Sequence, residues 1–158
     1  MYFSPKHILL PVALEPEDDF DLALKAVDSA CDLADSFQSE ITLLSLTPPS
    51  YAQSTQYDVN SDVYRAFELL LKAKLSRAAE LLAKLQKKVE DRHIKVVAEA
   101  VETEQTVAEA ICQKAQQKNI DLIVIGSHAR KGVQRLLLGS VASRVANLSP
   151  VPVLLLHR

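Results

Sequence analysis

Cysteine is scarce in this sequence, which contains two, Cys31 and Cys112. They are far apart along the chain, and neither belongs to a CxxC pair or a cysteine–histidine cluster, so a zinc site of common spacing is not indicated. Each follows an apolar neighbour in a segment with helical spacing. We expect two buried, reduced, structural thiols, because free cysteine is among the most buried residue types.

Long apolar runs and an excess of charge are also lacking. No stretch approaches the roughly 18 apolar residues that a membrane span needs, and the amino terminus MYFSPKHILL lacks the features of a signal peptide. The net charge is -2, with 24% charged residues, so no basic surface for nucleic acid is indicated. We expect a cytoplasmic protein of one domain, residues 1–158, without a membrane span or a nucleic-acid partner.

What the sequence does contain is an alternation of strand-like and helix-like patterns. Continuous apolar runs predict buried strands, and apolar residues three and four positions apart predict amphipathic helices. The predicted strands are residues 7–12, 41–46, 94–101, 121–125 and 151–156. The predicted helices are residues 18–37, 62–91, 106–117 and 140–148. The second of them carries one apolar stripe, made of Val63, Phe67, Leu70, Leu71, Ala78, Leu81, Leu82, Leu85 and Val89. Thr106 and Glu109 form a predicted capping box, and the polar stretch 47–60 is predicted to be a loop.

Strands that alternate with helices predict a fold of the α/β class. Right-handed crossovers would join them into a doubly wound, mostly parallel, five-stranded sheet with helices on both faces. In such sheets the ligand crevice lies beyond the carboxyl ends of the strands, where the strand order reverses. We expect the first and fourth strands to flank this crevice, with Pro11, Val12 and Ala13 forming one wall.

Glycine is confined to one short stretch: the chain has three, and all lie between positions 126 and 139. Gly126 ends a predicted strand, a basic loop follows, and Gly139 with Ser140 opens the last predicted helix. A glycine at a strand end lets a ligand approach the backbone, and the free N–H groups at a helix start suit phosphate. The stretch therefore predicts an anion site, although Ser140 is also a good N-cap with or without a ligand.

Three segments resemble the universal stress protein family: ILLPV near the start, DLIVIGSHARKGVQRLLLGSVASRV, and the closing SPVPVLLL. The resemblance covers nearly the whole chain and implies a fold like that of the adenine nucleotide alpha hydrolases. The nucleotide-binding branch of the family carries glycine, two residues, glycine, nine residues, and then glycine followed by serine or threonine. Here those positions are Gly126, Ala129, Gly139 and Ser140, so three of the four match.

This resemblance implies a stress-response regulatory protein that binds ATP, with Mg²⁺, and hydrolyses it little or not at all. The implied residues around the ribose and phosphates are Gly126, His128, Ala129, Arg130, Gly139, Ser140 and Val141. Val12 and Leu46 are implied to lie near the adenine. The family also implies a homodimer through the final strand, which begins at Val151 and ends at Leu156.

Two positions depart from the pattern of the family. Ala13 stands where the nucleotide-binding branch usually has an acidic residue, and Glu15 is a candidate substitute for it. Ala129 stands where the branch has a glycine. The alanine costs about 1 kcal/mol if the backbone there needs positive φ, and it also matters if the ligand passes close enough to strike its methyl group. The departures keep an alternative function open, a dimeric interaction module of the same fold that has lost nucleotide binding.

The histidines have simple structural interpretations. His128 has no serine or cysteine nucleophile with a recognisable elbow near it, so a hydrogen-bonding or solvated role is favoured over catalysis. His7, His93 and His157 flank predicted strands without metal-ligand spacing. Because no general base can be named, we assign no catalytic residue and expect at most a slow ATPase.

Overall fold

The computed structural model of this protein describes residues 2–14, 20–47, 61–127 and 139–157. Within them the strands are β1 (His7–Pro11), β2 (Glu40–Thr47), β3 (Val96–Glu102), β4 (Leu122–Gly126) and β5 (Val153–Leu156). The helices are α1 (Phe20–Phe37), α2 (Asp62–Glu90), α3 (Val107–Gln117) and α4 (Ser140–Leu148). Each predicted element is present, with its ends within two residues of the prediction. The predicted loop lies, from residue 48 to 60, outside the described residues.

The described strands form one sheet in the order β3-β2-β1-β4-β5. All their pairings are parallel; Ile8 of β1, for example, lies opposite Ile41 on one side and Leu122 on the other. The order runs outward from β1 to β3 and then outward again from β4 to β5, so the chain reverses direction across the sheet between β1 and β4. The predicted doubly wound α/β class and the predicted place of the reversal are both confirmed.

Alternate residues of each strand pack into two apolar cores, one on each face of the sheet. Ile8 and Leu10 pack with α1 and α2, whereas Leu9 packs with α3 and α4. Burial on both faces explains why β1 is a continuous apolar run in the sequence. Cys31 lies in the first core and Cys112 in the second; both are free and buried, as predicted, and burial raises the pKa of each thiol.

Helix α2 is much longer than the sheet that it covers. Its 29 residues span about 43 Å, whereas the 8 residues of β2 span about 26 Å. The apolar stripe found in the sequence is buried in the second half of the helix, at Leu81, Leu82, Leu85 and Val89. In the first half, Val63 and Leu70 are each 65% exposed. The stripe is therefore a core face along only part of its length.

The starts of α3 and α4 are built differently. At α3, the Thr106 hydroxyl accepts a hydrogen bond from the backbone of Glu109, and the Glu109 carboxylate accepts one from the backbone of Thr106, so the predicted capping box is confirmed. At α4 the N-cap is Gly139, and no side chain caps the helix. The interpretation of Ser140 as N-cap is wrong, because Ser140 is the first helical residue and Gly139 takes the preceding position.

The turns that follow α1, α2 and α3 each contain a residue with left-handed backbone. Gln38, His93 and Asn119 have φ angles of 55°, 59° and 50°. Glycine is the residue usually found at such positions after a helix, because it has no Cβ. In this chain the three turns are made without glycine, and they lead back to the amino ends of β2, β3 and β4.

Candidate functional site

A cavity of about 220 Å³ lies at the carboxyl end of the sheet, where β1 and β4 are neighbours. Its walls come from both faces of the sheet, since α1 lies on one face and α3 and α4 on the other. The described lining residues are Pro11, Val12, Ala13, Leu22, Ala23, Ala26, Leu44, Leu46, Val107, Ile111, Ile125, Gly126 and Val141. The cavity thus occupies the place that the topology predicts for a ligand.

Most of the predicted site residues that the structure describes meet in this cavity. The wall predicted from Pro11 to Ala13 lines it, and so do Leu46, Gly126 and Val141. Gly139 and Ser140 are not part of the described lining, but they directly precede Val141 at the start of α4. His128, Ala129 and Arg130 lie outside the described residues.

Part of the lining was missed by the sequence analysis. Leu22, Ala23 and Ala26 of α1, and Val107 and Ile111 of α3, lie on amphipathic helices, and most of them are buried. A helical stripe does not show which of its residues lie beyond the end of a strand. The small side chains at Ala23 and Ala26 are the one local signal, because they leave room beside the sheet.

The described lining carries no titratable and no hydrogen-bonding side chain. Its apolar walls suit a flat, weakly polar group. Polar atoms of a ligand would meet backbone groups, and the nearest set is at the start of α4, whose first N–H groups have no partner within the helix. Because Val141 lies both in that first turn and in the cavity wall, the apolar cavity and the helix start are adjacent.

Gly126 leaves space that a side chain would fill. A Cβ at this position would lie 3.5 to 3.8 Å from the side chain of Leu22, which is ordinary van der Waals contact. The backbone here does not require glycine for positive φ. Because Leu22 also lines the cavity, the absence of a side chain at Gly126 enlarges the cavity.

Ser127 connects the elements around the cavity and is only 2% exposed. Its backbone N–H donates to the carbonyl of Leu156 in β5 at 2.8 Å. Its hydroxyl oxygen accepts from the backbone N–H of Gly139 at 3.5 Å, a long hydrogen bond. Ser127 therefore links the end of β4 to β5 and to the start of α4, across the segment 128–138.

The opposite, amino end of the sheet has an open recess that is lined mostly by polar and charged residues. Asp121 Oδ2 accepts hydrogen bonds from the backbone N–H groups of Lys6 and His7, at 2.8 and 2.9 Å. The His7 ring lies 2.8 Å from the hydroxyl of Thr42 and 3.6 Å from Glu40 Oε1. Lys95 donates to Glu40 at 2.5 Å, and this hydrogen bond holds the pKa of the Glu40 carboxyl below its usual range.

The sequence profile of the universal stress protein family matches residues 5–157. This chain belongs to the universal stress protein family. A universal stress protein of Methanocaldococcus jannaschii is 30% identical to it over 143 residues, which cover 90% of this chain and 79% of that protein. The resemblance noted in the sequence is thereby confirmed.

Solved structures of the family share the fold. A second M. jannaschii protein, solved as a hypothetical protein, superposes with a TM-score of 0.77 at 24% identity, covering 99% of this chain and 98% of that one. An Arabidopsis thaliana family protein with AMP bound has a TM-score of 0.65 at 16% identity, over 98% of this chain and 92% of that one. Two further family structures contain cAMP and dAMP.

Two other features are absent from the described residues. Among them, no helix is long and apolar enough to cross a membrane. In the same part of the chain, no three histidine, cysteine, aspartate or glutamate side chains are grouped so as to hold a metal ion.

Proposed function

We propose that this protein is a cytoplasmic stress-response regulator that binds an adenine nucleotide, with ATP and Mg²⁺ as the first candidate, at the carboxyl end of its sheet. The observation that carries the proposal is the position of the cavity. It lies at the reversal between β1 and β4, and its wall runs directly into the uncapped start of α4. Apolar walls beside a helix start suit a purine next to a phosphate.

In this arrangement the adenine packs between Val12 and Leu46, which line the same cavity. The phosphates extend toward Gly139 and Ser140, where backbone N–H groups and the helix dipole favour negative charge. Gly139 has φ of -56°, so its backbone does not demand glycine. The absence of a side chain is then useful for the close approach of a phosphate. His128, Ala129 and Arg130 complete the proposed site.

Solved structures of relatives also support the binding of an adenine nucleotide. The solved relatives that contain AMP, cAMP and dAMP share the fold of this chain, and all three ligands contain an adenine and a phosphate. We propose little or no hydrolysis, because the described lining offers no carboxylate or histidine that would activate a water. Ala13, which lines the cavity, supplies no acidic group.

The test is calorimetric titration of the nucleotide-stripped protein with ATP and Mg²⁺, and in parallel with AMP. We expect one nucleotide per chain and a rise in unfolding free energy of about 2.7 kcal/mol at 100 times the dissociation constant. The variant Gly139→Val should fold, since valine tolerates the observed φ, but should lose most of the affinity. No binding at millimolar ATP by the wild-type protein would overturn the proposal.

A second candidate function is a dimeric interaction module without a nucleotide, favoured by the lack of any polar side chain in the described lining. Its surface is β5, which pairs with β4 alone among the described strands. The carbonyls of Pro152 and Leu156 bond to the β4 side, so the backbone groups of Val153 and Leu155 point away from the sheet. We propose that a homodimer forms there, by pairing of this strand with its copy.

Substitution of the outward-pointing residue tests the strand pairing. Leu155→Pro removes an outward N–H group without removing a bond to β4, and should convert a dimer to a monomer in sedimentation experiments. The matched variant Leu155→Ala keeps the N–H group and should remain dimeric. If the protein dimerises through this strand but ignores ATP, the interaction module is the better description.

A further inference from the structure

The start of α4 is held by few contacts among the described residues. Its N-cap, Gly139, donates a long hydrogen bond, at 3.5 Å, from its backbone N–H to the hydroxyl of Ser127. The buried residues of the helix are Ala142 and Val145, which lie three positions apart on one face. Apolar contacts along one face hold a helix against its sheet but resist rotation about the helix axis only weakly. A contact at the side of α4 is needed to fix that rotation.

Arg144 makes a contact of this kind. It lies about 100° around the helix from the buried Val145. Its Nη2 donates to Oε1 of Glu109 in α3 at 3.1 Å, and the two side chains form an ion pair. Between described residues, this is the one hydrogen bond or ion pair that joins a side chain of α4 to another helix. The ion pair therefore ties the rotation of α4 to the position of α3.

The carboxylate of Glu109 is already held in place on α3. Its Oε2 accepts from the backbone N–H and from the hydroxyl of Thr106, at 3.2 and 2.7 Å, and Oε1 remains for Arg144. The hydrogen bonds from Thr106, together with Arg144, hold the pKa of the Glu109 carboxyl below its ordinary value, so the group is charged at neutral pH. Exposed ion pairs are weak partly because two long side chains must be ordered. Here the capping box orders one of them.

Both helix starts that this ion pair connects border the cavity. Val107 is the first residue of α3, Val141 is the second residue of α4, and both line the cavity wall. Arg144 follows Val141 by three positions, which is nearly one turn of the helix. A rotation of α4 would therefore move Val141 and the backbone N–H groups of the first turn together. The geometry of this wall depends on what fixes α4.

We propose that Glu109 and Arg144 are positioning residues for the nucleotide: they hold the first turn of α4 so that its backbone N–H groups point at the phosphates. This inference rests on the proposed function. Hydrogen bonds weaken steeply when donor and acceptor are misaligned, so a small rotation of α4 weakens several of them at once. Neither side chain belongs to the described lining of the cavity, and both act through the helix.

The two residues make an unusual test possible because their charges are opposite. Arg144→Met keeps most of the side-chain stem and makes the protein more negative. Glu109→Gln makes it more positive and keeps the capping box, since glutamine is also accepted at that position. The amide has one acceptor oxygen, which cannot serve Thr106 and Arg144 as the two carboxylate oxygens do. A general effect of charge on an anionic ligand would shift the affinity in opposite directions, whereas loss of positioning lowers it in both variants.

Calorimetric titration of the full chain with ATP and Mg²⁺ measures these affinities. We expect the dissociation constant to rise about threefold in Arg144→Met and in Glu109→Gln. The double variant should bind no more weakly than either single variant, because both remove the same contact. Arg144→Lys keeps a charged donor for Glu109 and should recover most of the affinity. Melting temperatures close to that of the wild type would show that all four variants fold.

Arg92→Met is the matched control. Arg92 pairs with Asp32 and Asp35 and so joins the end of α2 to α1, at the amino end of the sheet. The variant removes the same charge and a contact between two helices, but far from the cavity. Its affinity for ATP should equal that of the wild type, even where its melting temperature is lower. An equal loss of affinity in Arg92→Met would assign the effect to general stability and overturn the inference.

The remaining outcomes separate this inference from the proposed function. Wild-type affinity in both Arg144→Met and Glu109→Gln would overturn the positioning role and leave nucleotide binding standing. Weaker binding by Arg144→Met with tighter binding by Glu109→Gln would show that Arg144 acts on the ligand by its charge, which also overturns the inference. A wild-type protein that does not bind ATP would overturn the proposed function itself, and the positioning role with it.

Discussion

The two ends of the sheet differ in polarity: the amino end is lined by polar side chains and the carboxyl end by apolar ones. At the amino end, polar side chains pair with one another and with the backbone: Asp121 accepts from two backbone N–H groups, and Glu40 accepts a hydrogen bond from Lys95 and lies beside His7. At the carboxyl end, the described lining of the cavity has no polar side chain. Among the described residues, the amino end is rich in paired polar side chains, while the carboxyl end has apolar walls beside a helix start that no side chain caps. If the proposed function is correct, stability is concentrated at the amino end and ligand binding at the carboxyl end.

The largest expected effect separates the two ends directly. Asp121→Ala removes the acceptor for the backbone N–H groups of Lys6 and His7, at the point where β1 and β4 begin. We expect the unfolding free energy to fall by about 2 kcal/mol, and the melting temperature by roughly 4–8 °C. Affinity for ATP should stay the same, because the residue lies at the far end of the sheet.

Asp121→Asn is the control for this substitution. Its amide oxygen can still accept from both backbone N–H groups, so most of the lost stability should return in chemical denaturation experiments. A variant Asp121→Ala as stable as the wild type would contradict the structural role given to the amino end.

The second expected effect is the opposite one at the carboxyl end, where affinity should fall and stability should stay the same. Gly126→Ala adds a methyl group that makes ordinary contact with Leu22 and occupies part of the cavity. We expect the melting temperature to stay within about 1 °C of the wild type, and the dissociation constant for ATP to rise about tenfold, equivalent to about 1.4 kcal/mol. Titration calorimetry measures the affinity. Unchanged affinity in a folded variant would place the nucleotide elsewhere.

The third comparison uses pH. The pKa of Glu40 is lower in the folded protein than its ordinary value because of the hydrogen bond from Lys95. Its contribution is therefore fully present above the unfolded value, about 4.3, and is lost as the pH falls through the folded value. Glu40→Gln should cost about 0.5 kcal/mol at pH 7. The difference from the wild type should shrink below about pH 4.

Denaturation curves at several pH values measure this difference. The acid loss of stability should be smaller in Glu40→Gln than in the wild type. A difference that stays constant from pH 7 to pH 3 would mean that packing, rather than the charge of Glu40, is responsible.

The fourth expected effect concerns Ser127, whose hydroxyl links the end of β4 to the start of α4. Ser127→Ala removes the long hydrogen bond to the backbone of Gly139. Stability should change by less than about 1 kcal/mol, while affinity for ATP should fall about threefold, since the start of α4 loses one constraint. Ser36→Ala on α1 removes a hydroxyl far from the cavity and should leave affinity unchanged. Equal affinities in both variants would remove Ser127 from the binding site.

The sequence predicted the helices and strands, their order along the chain and the place of the cavity. These features follow from local periodicity and from the general topology of parallel sheets. It did not predict the amino end, where Asp121 meets Lys6 and His7 across more than 100 positions of the chain. Contacts of that separation leave no local pattern. His7 was interpreted only as a residue at the edge of a strand.

Two other differences have equally specific causes. Ser140 was interpreted as an N-cap from its residue type. The N-cap is instead the preceding residue, Gly139, and Ser140 is the first residue of the helix. The stripe of α2 was identified on the correct face of the helix, but periodicity does not show how far the neighbouring sheet extends. Leu70 and Leu85 have the same place in the pattern, yet only Leu85 is buried.

The left-handed turns after α1, α2 and α3 are positions where the thermal stability of the protein could be raised by substitution. Gln38, His93 and Asn119 each hold a conformation that glycine adopts more easily, and all three lie away from the cavity. Relief of the Cβ clash is worth about 1 kcal/mol at a strained position. Glycine at Gln38 and His93 would therefore make a more heat-resistant protein whose ligand cavity is untouched.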